Sequence, residues 1–167
     1  MNAIDQLCPN CGLCCDSTLF ADVELRAGDD RQRLQKTGIE LFQKGKNKAA
    51  FAQPCACFDG KFCNIYAGRP KRCRSFECGL LKKVEGGTMT PAAALKKIHA
   101  ARLQAENVKS LLRALGQKEE RMPLTHRYTE VMASPIDFSD ETGAGRRGEL
   151  MLAVNDLMSQ LQRDFLR

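Results

Sequence analysis

The chain has no tryptophan, two tyrosines and two histidines among its 167 residues, and aromatic residues make up only 6%. Stacking of nucleic-acid bases on aromatic side chains therefore has little to work with. Two histidines cannot build a three-histidine catalytic zinc site. No apolar run approaches the roughly 18–20 residues needed to span a bilayer. The first residues, Met1-Asn2-Ala3-Ile4-Asp5-Gln6-Leu7-Cys8, have neither the basic start nor the apolar stretch of a secretory signal. A cytosolic, reducing compartment is therefore expected. There is no internal repeat, no Ser–His–Asp set, no phosphate-cradling glycine loop and no paired carboxylates. Asp29-Asp30 and Glu119-Glu120 read as solvated helix ends. No catalytic residue is assigned.

What the chain does have is cysteine. There are nine, all between Cys8 and Cys78, and the following 89 residues contain none. Hydrophobic residues at 43% suffice for a folded core, and charged residues at 28% argue against a membrane protein or a disordered tail. In a reducing compartment such a density of thiols points to metal binding rather than to a disulfide framework. The odd count also speaks against full pairing.

The first cluster is Cys8-x-x-Cys11-x-x-Cys14-Cys15, with Gly12 able to turn the backbone tightly. Neighbouring side chains of an extended segment point to opposite sides. Cys14 and Cys15 therefore serve two different metals, or one of them bridges. Eight thiolates would supply two four-ligand sites or one polynuclear cluster. Residues 55–58 and 61–66 flank Asp59-Gly60, a hairpin signal. A two-residue loop would set Ala56 opposite Cys63, and a three-residue loop would set Cys57 there. After Arg69-Pro70 comes a turn or short helix carrying Cys73 and Cys78. Five helical steps separate their directions by about 140°, so one metal can take both only if the helix is broken.

The predicted fold is mainly α with a small β-hairpin: a cysteine-rich module, residues 1–85, then a helical region, residues 86–167, beyond Gly86-Gly87. Residues 29–36 form a short helix closed by Gly38. Thr90 and Pro91 open a long helix whose apolar residues Leu95, Ile98, Ala101, Ala105, Val108, Leu112 and Leu115 recur every three or four positions, and Gly116 ends it. A shorter helix covers 123–132. Residues 134–148, with Pro135, Gly143, Gly145 and Gly148, read as a loop. A last helix over 147–165 puts Leu150, Val154, Leu157, Leu161 and Phe165 on one face. These stripes are core, packed on each other, on the cysteine module or on a second copy of the chain. His99 and His126 read as solvated or hydrogen-bonded.

The order Cys8-x-x-Cys11-Gly12-x-Cys14-Cys15, Pro54-Cys55, Gly60-Lys61-x-Cys63-x-Ile65-Tyr66-x-x-Arg69-Pro70-x-x-Cys73-Arg74-x-Phe76-x-Cys78 resembles the YkgJ-type cysteine-cluster (CxxCxxCC) family over residues 8–78. Its members are described as zinc- or iron-chelating proteins, or as iron–sulfur proteins. The resemblance implies Cys8, Cys11, Cys14, Cys15, Cys55, Cys63, Cys73 and Cys78 as metal ligands. Cys57 falls at an apolar position of that pattern and is taken as a spare, buried thiol.

The function implied is metal chelation by a cysteine cluster. The alternatives are an iron–sulfur electron-transfer or oxidoreductase component with a protein partner, and a zinc-organised module binding protein or nucleic acid. Closely spaced thiolates favour iron or an iron–sulfur cluster, with zinc as the alternative. The net charge of +6 is concentrated in residues 61–83, with seven Lys and Arg against Glu77 alone. Four thiolates on a divalent ion carry about −2, so these cations are assigned to charge compensation ahead of nucleic-acid binding. Arg69 and Arg74 are placed to donate hydrogen bonds to metal-bound sulfurs. No membrane partner is expected, and a homo-oligomer could form through the C-terminal helices.

Overall fold

The computed structural model describes residues 3–167. Among these residues the elements run α1 (Ala3–Cys11), β1 (Asp22–Glu24), α2 (Arg31–Lys36), β2 (Leu41–Lys44), β3 (Lys48–Ala52), α3 (Lys71–Ser75), α4 (Gly79–Glu85), α5 (Pro91–Ala114), α6 (Leu124–Ala133) and α7 (Glu141–Asp164). The mainly helical architecture with a small β element is the one expected. No helix of the described residues is long and apolar enough to cross a membrane.

The centre of the molecule is α5. Thr90 caps it, its Oγ1 accepting from the Ala93 N–H at 3.2 Å, and Pro91 fills the first turn, where a missing N–H costs nothing. Gly116, at φ +88°, takes the left-handed position that ends it. Ala94, Ile98, Ala101, Ala105, Val108 and Leu112 are buried, one residue per helical turn. Ala101 and Ala105 have no bulk to hold a neighbour away, and α7 and α1 both pack against α5. One core therefore joins Leu7 and Leu13 of the cysteine-rich segment with Leu80 and Leu81 of α4 and Leu150, Leu157, Leu161 and Phe165 at the C-terminal end. Asp164, 2% exposed, accepts from Lys97 Nζ at 2.9 Å and so pins the end of α7 to α5.

The last helix starts earlier than its glycines suggest. Residues 141–148 are helical, not loop. Asp140 caps the new start, its Oδ1 accepting from the Gly143 N–H at 3.0 Å. The Arg147 guanidinium then donates to the carbonyls of Val131 (2.8 Å), Ser134 (2.9 Å), Met132 and Pro135 (3.1 Å each). These are carbonyls at and just beyond the end of α6, so α6 and the first turns of α7 brace each other and override the glycines' poor helix propensity.

The β element also differs from expectation. β1, β3 and β2 form an antiparallel sheet in that order, with Val23 opposite Phe51 and Phe42 opposite Ala50. Lys48-Ala49-Ala50-Phe51-Ala52 neither alternates nor is rich in strand formers, so periodicity does not reveal it. Around Asp59-Gly60 there is no strand pair, only a bridge between Phe58 and Cys63. Asp59 Oδ1 accepts from the N–H groups of Lys61 (2.8 Å) and Phe62 (2.7 Å), which makes a four-residue turn. Neither register considered from the sequence occurs. A second, smaller core of Val23, Leu34, Ile39, Phe51 and Cys57 lies against the sheet.

Candidate metal centre

Eight of the nine cysteines open onto one cavity of about 570 Å³: Cys8, Cys11, Cys14, Cys15, Cys55, Cys63, Cys73 and Cys78. Apolar side chains including Leu7, Phe20, Phe58, Ile98 and Phe165 make up much of the remaining wall. Cys57 is absent from this lining. It is 3% exposed, and its S–H donates to Thr37, with Sγ 3.3 Å from Thr37 Oγ1. His99 and His126 are both solvent-exposed and do not line the cavity.

Four pieces of local structure deliver the thiols. Cys8 and Cys11 are three residues apart on α1 and share a face. Gly12, at φ +72°, then turns the chain, and its carbonyl accepts from the N–H groups of Cys15 (2.8 Å) and Asp16 (3.0 Å). A side chain there would collide with the Phe58 ring, because an added Cβ would lie 2.6 Å from Phe58 Cζ. The Cys55 N–H donates to the Cys15 carbonyl at 2.8 Å and ties the two cysteine segments together. Finally, α3 carries Cys73 and stops at Phe76, which packs edge-on against Phe20 with ring centres 4.9 Å apart. The chain restarts at Cys78, whose Sγ accepts from the Leu81 N–H as the cap of α4. The helix between the last two cysteines is therefore broken.

Residues that pattern reading passed over hold the vicinal pair. Asp16 accepts from Lys109 of α5 at 2.8 Å and from the Thr18 N–H at 2.9 Å. Ser17 adopts φ +73°, unusual for a side chain other than glycine, and its buried Oγ accepts from the Leu124 N–H at the start of α6. The signal in the sequence is Asp16-Ser17-Thr18 itself, a run whose short polar side chains make turns by bonding nearby backbone.

Burial raises the thiols, and they differ in which other sulfurs act on them. Burial pushes Cys11 up to about 12 and Cys14 well above its ordinary value. Burial likewise raises Cys8, with the facing Cys78 adding to it. The other sulfurs acting on Cys11 are Cys78 and Cys8. Cys14 feels Cys11, its chain neighbour Cys15, Cys78 and Cys8. Burial pushes Cys15 and Cys55 up to about 12 and Cys73 to about 11, and it raises Cys63. Here the surroundings differ: Cys15 feels Cys63, Cys55 and Cys73. Cys57 also acts on Cys55 and Cys63. Apart from each other, the adjacent Cys14 and Cys15 thus have different sulfurs around them. Arg69 favours the thiolates of Cys8, Cys63 and Cys73. It lies over the Tyr66 ring, 3.6 Å from the centroid, and its Nε donates to the Tyr66 carbonyl at 2.8 Å.

Among the described residues, no group of three or more Cys, His, Asp or Glu side chains stands ready-made to hold a metal ion. The thiols are gathered around a cavity and would draw together to bind. The donor set nevertheless suits a thiophilic cation. Four ionised sulfurs so desolvated repel one another, and a bound cation is what can hold them as thiolates.

A pH dependence follows for the metal-free chain. In the unfolded chain these thiols ionise near 9.0, while in the fold Cys11, Cys15 and Cys55 ionise near 12 and Cys73 near 11. Below pH 9 they are protonated in both states, and their contribution is fully present. Above it the unfolded chain ionises first, so stability falls as pH rises through 9 towards 12. The urea midpoint of the metal-free protein should decline over that window. A flat midpoint there would contradict the burial of these thiols.

Residues 7–111 match the family described as "Putative zinc- or iron-chelating domain", known by its CxxCxxCC motif. The chain belongs to the CxxCxxCC family. The match takes in all nine cysteines and runs beyond the last of them into α5, in keeping with the packing of α1 on that helix. No curated protein and no solved structure matches the chain. The family description supports zinc or iron as the metal.

Proposed function

We propose that this CxxCxxCC protein chelates metal at two separate four-thiolate centres. The first would use Cys8, Cys11, Cys14 and Cys78, and the second Cys15, Cys55, Cys63 and Cys73. Cys57 would serve in neither. The observation that supports this reading is the surroundings of the vicinal pair: apart from each other, Cys14 has Cys11, Cys78 and Cys8 about it and Cys15 has Cys63, Cys55 and Cys73. That difference favours two sites over one polynuclear core shared by all eight. Each set has the composition of a closed four-cysteine site for a single zinc or iron ion, or for one iron–sulfur cluster. When bound, the metal would supply cross-linking of distant chain segments and, if it is iron, a one-electron couple.

The chain's own residues do the rest. Gly12 and the Asp16–Lys109 pair turn Cys14 and Cys15 apart. Arg69, supported by Tyr66, offsets the negative charge that both sets acquire on losing their protons. Phe20, Phe58 and Phe165 line the cavity beside the sulfurs. Among the cations of residues 61–83, Arg69 therefore takes the compensating role, and we assign no nucleic-acid role to that stretch.

The test is metal analysis of protein purified without oxygen. Two equivalents of zinc or iron per chain, with no acid-labile sulfide, are expected for single-ion centres. A brown protein with labile sulfide and reversible bleaching would identify the iron–sulfur form of the same two centres. Metal-free protein whose eight thiols all react with a thiol reagent would refute chelation.

A further inference from the structure

We infer that the two centres differ in kind: the Cys8–Cys11–Cys14–Cys78 set holds its metal permanently, and the Cys15–Cys55–Cys63–Cys73 set exchanges its metal with an outside thiol or imidazole donor. The inference rests on the two-centre reading above and goes beyond it by assigning a role to each centre.

The first set is carried by segments packed into the larger core. Cys8 and Cys11 sit on α1, Cys78 caps α4, and Cys14 lies in the Gly12 turn. Its chain neighbours Leu7, Leu13, Leu80 and Leu81 are no more than 2% exposed. They belong to a core of sixteen buried side chains shared with α5, α6 and α7. Both sets open onto the same cavity, but the segments carrying these four sulfurs can move apart only by disturbing that core.

The second set has much less behind it. Cys55 is in a loop, Cys63 follows the Asp59 turn at an isolated bridge, and Cys73 sits on a helix of five residues. Cys15 shares the Gly12 turn with Cys14, but the core that Cys55 and Cys73 adjoin has only five buried side chains, one of them Cys57. The surrounding chain faces solvent: Phe62 is 56% exposed, and Lys61, Asn64, Lys71, Arg72 and Arg74 are also exposed. Segments with few buried contacts open at low free-energy cost. A competing donor reaches this metal from solvent as the Cys63 turn lifts. The ion leaves as a dication, and the four thiolates take up protons, so charge balances without an oxidant or reductant.

The test uses the full chain loaded with two equivalents of zinc and challenged with excess 4-(2-pyridylazo)resorcinol, whose zinc complex is coloured. Release is expected in two phases of one equivalent each, with rates at least ~10-fold apart. Cys63→Ser should remove the fast phase and leave the slow one. Hydrogen exchange after the fast phase should show protection lost over residues 55–76 and kept in α1, α4 and α5, a readout that needs no folded variant. Release of both equivalents in one phase, loss of the slow phase in Cys63→Ser, or loss of protection in α1 first would overturn the inference. A total other than two equivalents, or loss of all metal in Cys63→Ser, would overturn the two-centre reading, and the inference with it.

Discussion

Cys14→Ser and Cys15→Ser should each leave one metal per chain, and not the same one. The two residues are adjacent, so any effect on the chain as a whole is shared. What differs, apart from each other, is the sulfurs acting on them: Cys11, Cys78 and Cys8 for Cys14, and Cys63, Cys55 and Cys73 for Cys15. A four-thiolate zinc site is worth about 10–16 kcal/mol at neutral pH. Spread over four ligands, the loss of one thiolate costs about 3 kcal/mol, or roughly two orders of magnitude in affinity. A chelator of intermediate strength should therefore strip the damaged centre and spare the other. Adding Cys11→Ser to Cys14→Ser should cost no further metal, whereas adding it to Cys15→Ser should empty the protein. If all eight sulfurs served one cluster, both single variants would lose everything together.

Gly79→Ala should lower the melting temperature, although alanine is the better helix former. Gly79 opens α4 directly after Cys78, and its N–H donates to the Phe165 carbonyl at 2.9 Å. An added Cβ would lie 2.7 Å from the Asp164 carbonyl oxygen and closer still to that of Arg167. Both are backbone atoms, and the Asp164 carbonyl, at the end of α7, cannot swing aside as a side-chain tip would. The end of α7 is held by the Asp164–Lys97 pair and by Phe165, which is 1% exposed. Propensity alone would favour alanine by about 1 kcal/mol. The collision costs about 1–3 kcal/mol or more once packed elements must separate, and each net kcal/mol lowers the midpoint by about 2–4 °C in a chain of this size. The displaced start of α4 would carry Cys78 with it, so metal affinity should fall at the first centre and hold at the second. An unchanged or raised melting temperature would show that the contact between α7 and α4 is loose.

Much of this molecule is legible in its sequence where one local signal acts without competition. Thr90, Pro91 and Gly116 bound α5 as capping chemistry requires, and the three-and-four spacing names most of its buried face. Leu95 and Leu115 are exceptions, only partly buried, while Ala94 lies in the core. Cys57 reads as buried because it falls at an apolar position, and it is buried. The legibility fails where tertiary contacts decide. The glycines at 143, 145 and 148 advertise a loop, but Arg147 brings α7 against the carbonyls at the end of α6 and makes helix the better state. Asp59-Gly60 advertises a hairpin with a two- or three-residue loop, but the Asp59 carboxylate takes two N–H groups and lengthens the turn. The roles of Asp16 and Ser17 depend on Lys109 and Leu124, roughly a hundred residues away, and no local pattern reports such partners.

For the cysteines, the vicinal pair poses a choice in the sequence between one shared cluster and two separate sets. That choice depends on contacts between segments that the sequence does not report: the Gly12 turn, the hydrogen bond from Cys55 to Cys15, and the break at Phe76. The most direct measurement is a crystal structure of the metal-loaded chain with anomalous scattering recorded at the edge of the bound metal. The account predicts two separate metal positions, one joined to Cys14 with Cys8, Cys11 and Cys78, the other joined to Cys15 with Cys55, Cys63 and Cys73. A single cluster bridging Cys14 and Cys15, or a metal bound to Cys57, would contradict it.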